Sequence, residues 1–162
     1  MSDLRNSTLV FLVKRTGEDI TEICLAMKKR GFGKGRWNGV GGKVEKGETI
    51  EQAAAREAKE EISVSIAALT KVAELAFMFP HNPAFDQLVH VYLTDTWDGA
   101  PSESEEMDPR WYPVGDIPFG SMWPDDEFWL PIVVAGSKVR GSFTFGEGDV
   151  VLAQEVSTVE TL

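Results

Sequence analysis

The chain has 162 residues, of which 43% are hydrophobic and 26% charged, and its formal net charge at pH 7 is -10. These values are typical of one globular domain, and no apolar run approaches the roughly 20 residues of a membrane-spanning helix. The negative charge disfavours binding to polymeric nucleic acid, which depends on lysine and arginine at phosphates. The polar N-terminal residues do not resemble a signal peptide. We therefore expect one domain over residues 1–162, in a monomeric cytoplasmic protein whose partner is a small molecule rather than a membrane or nucleic acid.

The first predicted elements are two strands and a loop. Residues 7–14 and 19–27 are rich in apolar and β-branched side chains and flank a turn at 16–18, which predicts a hairpin. The single cysteine, Cys24, is expected to be buried in the second strand. Residues 28–43 carry six glycines and two aromatic residues, and this composition favours a loop that contacts a ligand.

A helix should follow the glycine-rich loop. Thr49 and Gln52 fit a capping box at its start. Apolar residues then recur every fourth position and form one stripe, which consists of Ile50, Ala54, Ala58 and Ile62. The other face of this helix is left to polar residues.

The rest of the chain predicts a mixed sheet and a second helix. Strands are expected over residues 69–79, 87–97 and 110–114, with a turn at 98–99 and a loop over the acidic stretch 102–108. The second helix should begin near Asp125, with Pro124 in its first turn, and Pro131 should distort or shorten it. A final hairpin is expected over residues 142–145 and 150–156. The predicted class is α/β.

The chemistry concentrates on the polar side of the first helix. Glu57, Glu60 and Glu61 are three and four positions apart, so they project from one side. Their like charges repel, and Glu48 adds a fourth carboxylate just ahead of the helix, so the arrangement is costly unless a cation offsets it. Oxygen ligands of this kind suit Mg²⁺, whose coordination is usually completed by water and substrate phosphates. The alternative is a solvated acidic face balanced by neighbouring basic residues.

The wider spacing favours the metal site. Gly42, Glu48 six positions later, and the pair Arg56-Glu57 resemble the Nudix box, which would span residues 42–64 here. The chain departs from that pattern at Ala58, where a larger aliphatic residue is usual, and at Ser63, where the box has glycine. A glycine there would act as a left-handed helix cap, a conformation that serine adopts less readily.

The resemblance to Nudix hydrolases implies a fold and a set of functional residues. The fold would be an α/β/α sandwich with a central mixed β-sheet. The implied cofactor is Mg²⁺, for which Mn²⁺ can substitute. The implied catalytic residues are Arg56, Glu57, Glu60 and Glu61, with Arg56 fixing the carboxylates and either Glu60 or Glu61 acting on water. The implied metal-binding positions are Gly41, Glu57, Glu60, Glu61 and Glu106.

Segments outside the box resemble a particular branch of this family. Residues 27–33, 35–39 and 122–126 are similar to the animal Nudix hydrolases of oxidised purine nucleoside triphosphates, and the likeness runs over nearly the whole chain. It implies hydrolysis of 8-oxo-dGTP, 2-hydroxy-dATP and related nucleotides to monophosphate and pyrophosphate. The implied substrate-binding residues are Lys28, Phe32, Asn38, Phe77, Met107, Trp123, Asp125 and Asp126.

The adjacent acids Asp125 and Asp126 have a physical reason to lie in a base pocket. Two neighbouring carboxylates in apolar surroundings disfavour double ionisation, so one can donate a hydrogen bond while the other accepts. Such a pair could read both an oxidised guanine and an oxidised adenine. Structural alternatives are a core position for Trp123 and a helix N-terminal acidic pair at 125–126.

Other functions fit the sequence less well. A P-loop is excluded because neither Lys34 nor Lys43 is followed by serine or threonine. A Nudix-like binding module without catalysis is disfavoured because every acidic position of the box is filled. A Nudix hydrolase of another nucleotide, such as a dinucleoside polyphosphate or a nucleotide sugar, is the second hypothesis.

Overall fold

The computed structural model describes residues 4–162, which form ten strands and two α-helices. The strands are β1 (Arg5–Thr16), β2 (Asp19–Lys28), β3 (Trp37–Asn38), β4 (Ser65–Ile66), β5 (Thr70–Met78), β6 (Gln87–Thr94), β7 (Trp97–Asp98), β8 (Met107–Pro113), β9 (Lys138–Phe145) and β10 (Val151–Val159). The helices are α1 (Ile50–Ile62) and α2 (Asp126–Val134). Neither of these two helices is both long enough and apolar enough to cross a bilayer.

Eight of the strands form one mixed sheet, as the sequence predicted. Its order is β10-β9-β5-β6-β1-β2-β3, and β8 pairs with β2. The β1–β6 and β5–β9 pairs are parallel, whereas the other pairs are antiparallel. The predicted opening hairpin is confirmed, because Thr16 pairs with Asp19 across a turn in which Gly17 has a φ of 64°. Strands β4 and β7 form a separate two-stranded sheet.

The sheet lies between the two helices. Successive residues of β1 point to opposite faces of the sheet, and each face packs against a different helix. Val10 and Leu12 belong to the core formed with Ala54, Ala58 and Ile62 of α1. Phe11 and Val13 belong to the core formed with the residues of α2, which are Trp129, Leu130 and Val133. This arrangement is the α/β/α sandwich expected from the sequence.

Helix α1 has the ends that its sequence indicated. The Thr49 hydroxyl accepts a hydrogen bond from the Gln52 backbone N–H, and the Gln52 side-chain oxygen accepts one from the Thr49 backbone N–H, which completes the capping box. At the other end Ser63 adopts the left-handed conformation, with φ 64° and ψ 30°, and its N–H donates to the Lys59 carbonyl at 3.1 Å. Serine therefore takes the backbone conformation that glycine would adopt with less strain.

Three local predictions were wrong. The glycine-rich loop contains β3, because Trp37 and Asn38 pair with β2. The acidic stretch is not wholly a loop, because Met107 already pairs with Lys28 at the start of β8. Pro124 precedes the first turn of α2, whose N-cap is Asp125. The pairing of β8 with β2 joins residues far apart in sequence, so local composition could not reveal it.

Candidate active site

Arg56 gathers the carboxylates of the Nudix box. Its Nε donates to Glu48 at 2.7 Å, and its Nη1 donates to Glu57 at 2.9 Å and to Glu60 at 3.3 Å. The hydrogen bond from Arg56 lowers the pKa of Glu48, and the same pairing raises the pKa of Arg56. One permanently charged guanidinium therefore holds three carboxylates together.

Glu61 is the buried carboxylate of this group. It is only 5% exposed, its Oε1 accepts from the Gly41 N–H at 3.2 Å, and its Oε2 has no hydrogen-bond partner. Burial, together with the neighbouring Glu57, raises the pKa of Glu61 to about 8. A charged Glu61 is therefore costly in this environment unless a positive charge comes close.

Two glycines bring the loop against these carboxylates. A Cβ atom on Gly42 would lie 2.6 Å from Glu57 Oε1, and one on Gly41 would lie 1.8 Å from the Thr8 carbonyl oxygen. Both distances are shorter than a side chain tolerates. The glycines of the box are therefore required by the close approach of strand, loop and helix.

The donor set fits a hard divalent cation. Glu57 and Glu61 adjoin each other, and one Glu61 oxygen lacks a partner, so oxygen ligands and negative charge meet at one point. Within residues 4–162, no three Asp, Glu, His or Cys side chains are already arranged as a metal centre. Glu60 and Glu106 are instead engaged in ion pairs with Arg56 and Lys28. A bound cation would recruit one of them or complete its shell with substrate phosphates.

Lys28 links the acidic cluster to a neighbouring cavity. Its Nζ lies 3.5 Å from Glu106 Oε2, and its positive charge opposes the rise in the pKa of Glu61. Glu106 is also held by its backbone, whose carbonyl accepts from the Lys29 N–H at 2.8 Å. Glu106, which the resemblance implies as a metal-binding position, is therefore paired with a lysine here.

The cavity has a volume of about 410 Å³ and lies between the sheet and α2. All the predicted substrate-binding residues line it: Lys28, Phe32, Asn38, Phe77, Met107, Trp123, Asp125 and Asp126. Gly41 and Gly42 line it as well, at the edge where the loop meets Glu57 and Glu61. The catalytic candidates of α1 thus adjoin the cavity at this edge instead of lining it.

The acid pair is buried in the cavity wall. Asp125 is 3% exposed and Asp126 is 2% exposed. Asp125 Oδ2 accepts from the Trp129 indole N–H at 2.7 Å, whereas Asp126 Oδ2 has no partner. Burial raises the pKa of Asp125 to about 6, and burial together with the charge of Asp125 raises the pKa of Asp126 well above its usual range. The pair therefore retains a proton near neutral pH.

Aromatic rings surround the acid pair. Phe32 is 43% exposed, yet its ring stacks on Phe85 with centroids 4.3 Å apart and lies 4.9 Å from the Trp123 ring. Phe79 and Phe145 contact Trp123 edge-on, at 6.2 Å and 5.8 Å. A flat apolar ligand with a polar edge fits such a site, because the rings can stack on it while the acids read its edge.

Sequence reasoning missed several residues of this cavity. They include Arg5, Arg36, Phe79, Phe85, Gln87 and Phe145. Strand alternation could have grouped some of them, since Arg5 and Leu9 share a face of β1 and Arg5 pairs with Gln87 of β6. Nothing in the sequence indicated which face of the sheet would border the cavity.

Comparisons with known proteins agree with this geometry. The chain is 42% identical over 161 residues to the oxidized purine nucleoside triphosphate hydrolase of Mus musculus, covering 99% of each chain. It is 43% identical over 140 residues to the protein of the same name from Danio rerio, covering 86% of this chain and 89% of that one.

The fold is also similar to that of solved structures. The MutT protein from Bacillus halodurans superimposes with a TM-score of 0.81 at 19% identity, covering 95% of this chain and 98% of that one. The family model described as the NUDIX domain matches residues 3–131, which include the box and its carboxylate helix. The chain belongs to the Nudix family.

Proposed function

We propose that this protein hydrolyses oxidised purine nucleoside triphosphates, such as 8-oxo-dGTP and 2-hydroxy-dATP, to the monophosphate and pyrophosphate. The observation that carries the proposal is that the cavity and the carboxylate helix α1 are adjacent. A cavity walled by aromatic rings and a buried acid pair meets the carboxylate helix at Gly41 and Gly42. The similarity to the mouse protein along nearly the whole chain supports the same substrate class.

The base would occupy the aromatic cavity. Asp125 and Asp126 retain a proton between them, so one can donate a hydrogen bond to the purine edge while the other accepts. Moving that proton from one acid to the other exchanges donor and acceptor, which would allow both oxidised guanine and oxidised adenine to bind. Asn38 lines the same cavity and offers an amide, and Trp123 would stack on the base.

The phosphates would lie toward α1. Lys28 borders both the cavity and the acidic cluster, so its ammonium group would contact the phosphate chain. Nudix hydrolases depend on a divalent metal, which we take to be Mg²⁺, with Mn²⁺ as a substitute. Such an ion neutralises phosphate charge and lowers the pKa of bound water. Glu57, Glu60 and Glu61, with Glu106 and the Gly41 carbonyl, are the groups that would hold it.

Two charged groups would organise the hydrolysis itself. Arg56 fixes the direction of Glu57 and Glu60 through its hydrogen bonds at 2.9 Å and 3.3 Å. Either Glu60 or Glu61 would accept the proton of the attacking water. All of these groups belong to one chain and, in this proposal, to one domain over residues 1–162, which supports action as a monomer.

Pyrophosphate release from purified protein tests the proposal. With Mg²⁺ present, we expect release from 8-oxo-dGTP to exceed release from dGTP by at least about tenfold in kcat/KM, because a purine edge that the acid pair reads poorly leaves buried polar groups unpaired. Equal rates on the two nucleotides would contradict it. Faster cleavage of a dinucleoside polyphosphate or a nucleotide sugar would show that the site serves another nucleotide.

A further inference from the structure

Arg36 lies over the ring that would stack on the base. Its guanidinium carbon is 4.2 Å from the centroid of the Trp123 ring, and both residues line the cavity. A planar guanidinium at this distance is attracted to the face of an indole. Arg36 therefore covers one face of Trp123, and that face is closed to a stacked purine while Arg36 stays there.

Arg36 is itself held in place by a different part of the chain. Its Nη1 donates to Asp149 Oδ2 at 2.8 Å, and the two side chains are 26% and 29% exposed. Asp149 lies in the turn between β9 and β10 and has a φ of 62°. The Arg36 backbone is fixed too, because its N–H donates to the Gly33 carbonyl and its carbonyl accepts from the Lys28 N–H, both at 3.1 Å.

Trp123 lies outside the regular elements, and the rings of Phe32, Phe79 and Phe145 contact it. It lies between a short helical turn that ends at Ser121 and helix α2. Gly33 passes so close that a Cβ atom there would lie 3.2 Å from the indole Nε1. The glycine-rich loop therefore limits the edge of the ring, and Arg36 limits its face.

We propose that Arg36, held by Asp149, is a positioning residue for base binding that fixes the Trp123 ring in the orientation on which the purine stacks. The inference rests on the proposed function, since it assumes that a purine occupies this cavity. It adds a residue of the glycine-rich loop and a residue of the β9–β10 turn to the machinery of base selection.

The charge of Arg36 acts on the same pocket. It favours the ionised forms of Asp125 and Asp126 and so opposes the effect of burial on the pKa of both. Arg36 therefore stands near both parts of the base site, the stacking ring and the acid pair. Its removal should disturb base binding more than the chemical step, because the catalytic carboxylates lie on α1.

Three variants and one control test the inference. Arg36→Ala removes the guanidinium, and Arg36→Lys keeps the charge without the flat face. Asp149→Asn breaks the ion pair with Arg36, and asparagine tolerates the positive φ of this position. The control is Arg110→Ala, because Arg110 also faces an indole, that of Trp37 at 5.7 Å, but does not line the cavity. Calorimetry with 8-oxo-dGMP gives Kd, and pyrophosphate release from 8-oxo-dGTP with Mg²⁺ gives KM and kcat.

We expect Arg36→Ala to raise Kd and KM about tenfold and to leave kcat within about twofold of the wild type. Arg36→Lys and Asp149→Asn should each raise Kd about threefold, since each keeps part of the contact. Arg110→Ala should change none of these values. An unchanged Kd in Arg36→Ala, a fall in kcat as large as the rise in KM, or an equal effect of Arg110→Ala would overturn the inference.

Thermal unfolding separates positioning from loss of structure. If Arg36→Ala does not fold, Arg36→Lys and Asp149→Asn test the positioning role by their Kd, KM and kcat relative to the wild type. The wild-type protein alone tests the proposed function: equal Kd values for 8-oxo-dGMP and dGMP would contradict it. The ratio between variant and wild type would still be measurable on either purine, so the two failures are distinguishable.

Discussion

Asp125 and Asp126 are placed where water hardly reaches their carboxyl groups. The position at the start of α2 does not explain them, because the Asp125 side chain makes no capping hydrogen bond and bonds to Trp129 instead. Trp123 likewise lines the cavity, although its edge packs against the core. The structural alternatives therefore leave the unpartnered oxygen of Asp126 unexplained, whereas a ligand in the cavity would explain it.

Replacing Asp125 by asparagine should stabilise the protein at neutral pH. The folded state raises the pKa of Asp125 from 3.8 to about 6, so the folded protein binds the proton more tightly than the unfolded chain does. The wild type therefore loses stability as pH rises from about 4 through about 6. Asp125→Asn does not lose this stability. Its free energy of unfolding, measured in urea, should exceed that of the wild type by about 2 kcal/mol at pH 7.5 and equal it near pH 4.

Two further measurements make this prediction specific. Asp116→Asn changes an exposed aspartate and should leave the pH profile of stability unaltered. Asp125→Asn should also lose discrimination between 8-oxo-dGTP and dGTP, because an amide cannot share a proton with Asp126. A variant that kept full discrimination would rule out the shared-proton account of base recognition.

At the scale of elements, the C-cap residue of helix α1 has an unfavourable backbone conformation. Ser63 is exposed and has a φ of 64°, a region that residues with a Cβ atom occupy at a cost. Ser63→Gly should therefore stabilise the fold by about 1 kcal/mol, even though glycine gains freedom in the unfolded chain. Differential scanning calorimetry should record a Tm higher by about 2–4 °C.

Ser63→Ala is the matched comparison, because it removes the hydroxyl and keeps the Cβ atom. It should be no more stable than the wild type. If alanine stabilised the protein as much as glycine, the gain would come from losing the hydroxyl and not from the left-handed backbone.

For the whole molecule, the net charge of -10 is concentrated in part on one helix. Three of the box carboxylates, those of Glu48, Glu57 and Glu60, share the guanidinium of Arg56. The fourth, that of Glu61, has one oxygen without a partner. About 10 mM MgCl₂ should therefore raise the Tm of the nucleotide-free protein by about 2–4 °C, relative to NaCl of equal ionic strength.

Glu61→Gln tests whether this stabilisation arises at the box. The amide does not titrate, so without Mg²⁺ at neutral pH the variant avoids the cost of keeping Glu61 in a site that raises its pKa, and it should unfold at a higher temperature than the wild type. It should gain less when Mg²⁺ is added. Glu105→Gln, at a side chain that is 89% exposed, should behave like the wild type. An equal gain in all three proteins would place the cation effect elsewhere on the surface.

The sequence by itself determined the elements that depend on neighbours along the chain. Helix α1 begins and ends where its capping box and its apolar spacing predicted, at Ile50 and Ile62. The opening hairpin and the mixed sheet also followed from local patterns, whereas the α/β/α sandwich was implied by the resemblance to Nudix hydrolases. The candidate functional residues came from the resemblance of the box and its flanks to the Nudix family, and the candidates for base binding line one cavity.

Only the tertiary structure decided what depends on distant contacts. The contact of Arg36 with Trp123 and Asp149 joins residues separated by 87 and 113 positions, and no local pattern encodes it. The same holds for the start of β8, which exists because β2 offers backbone groups to pair with. The burial that raises the pKa of Asp125 and of Glu61 also arises only when the sheet, both helices and the glycine-rich loop close around them.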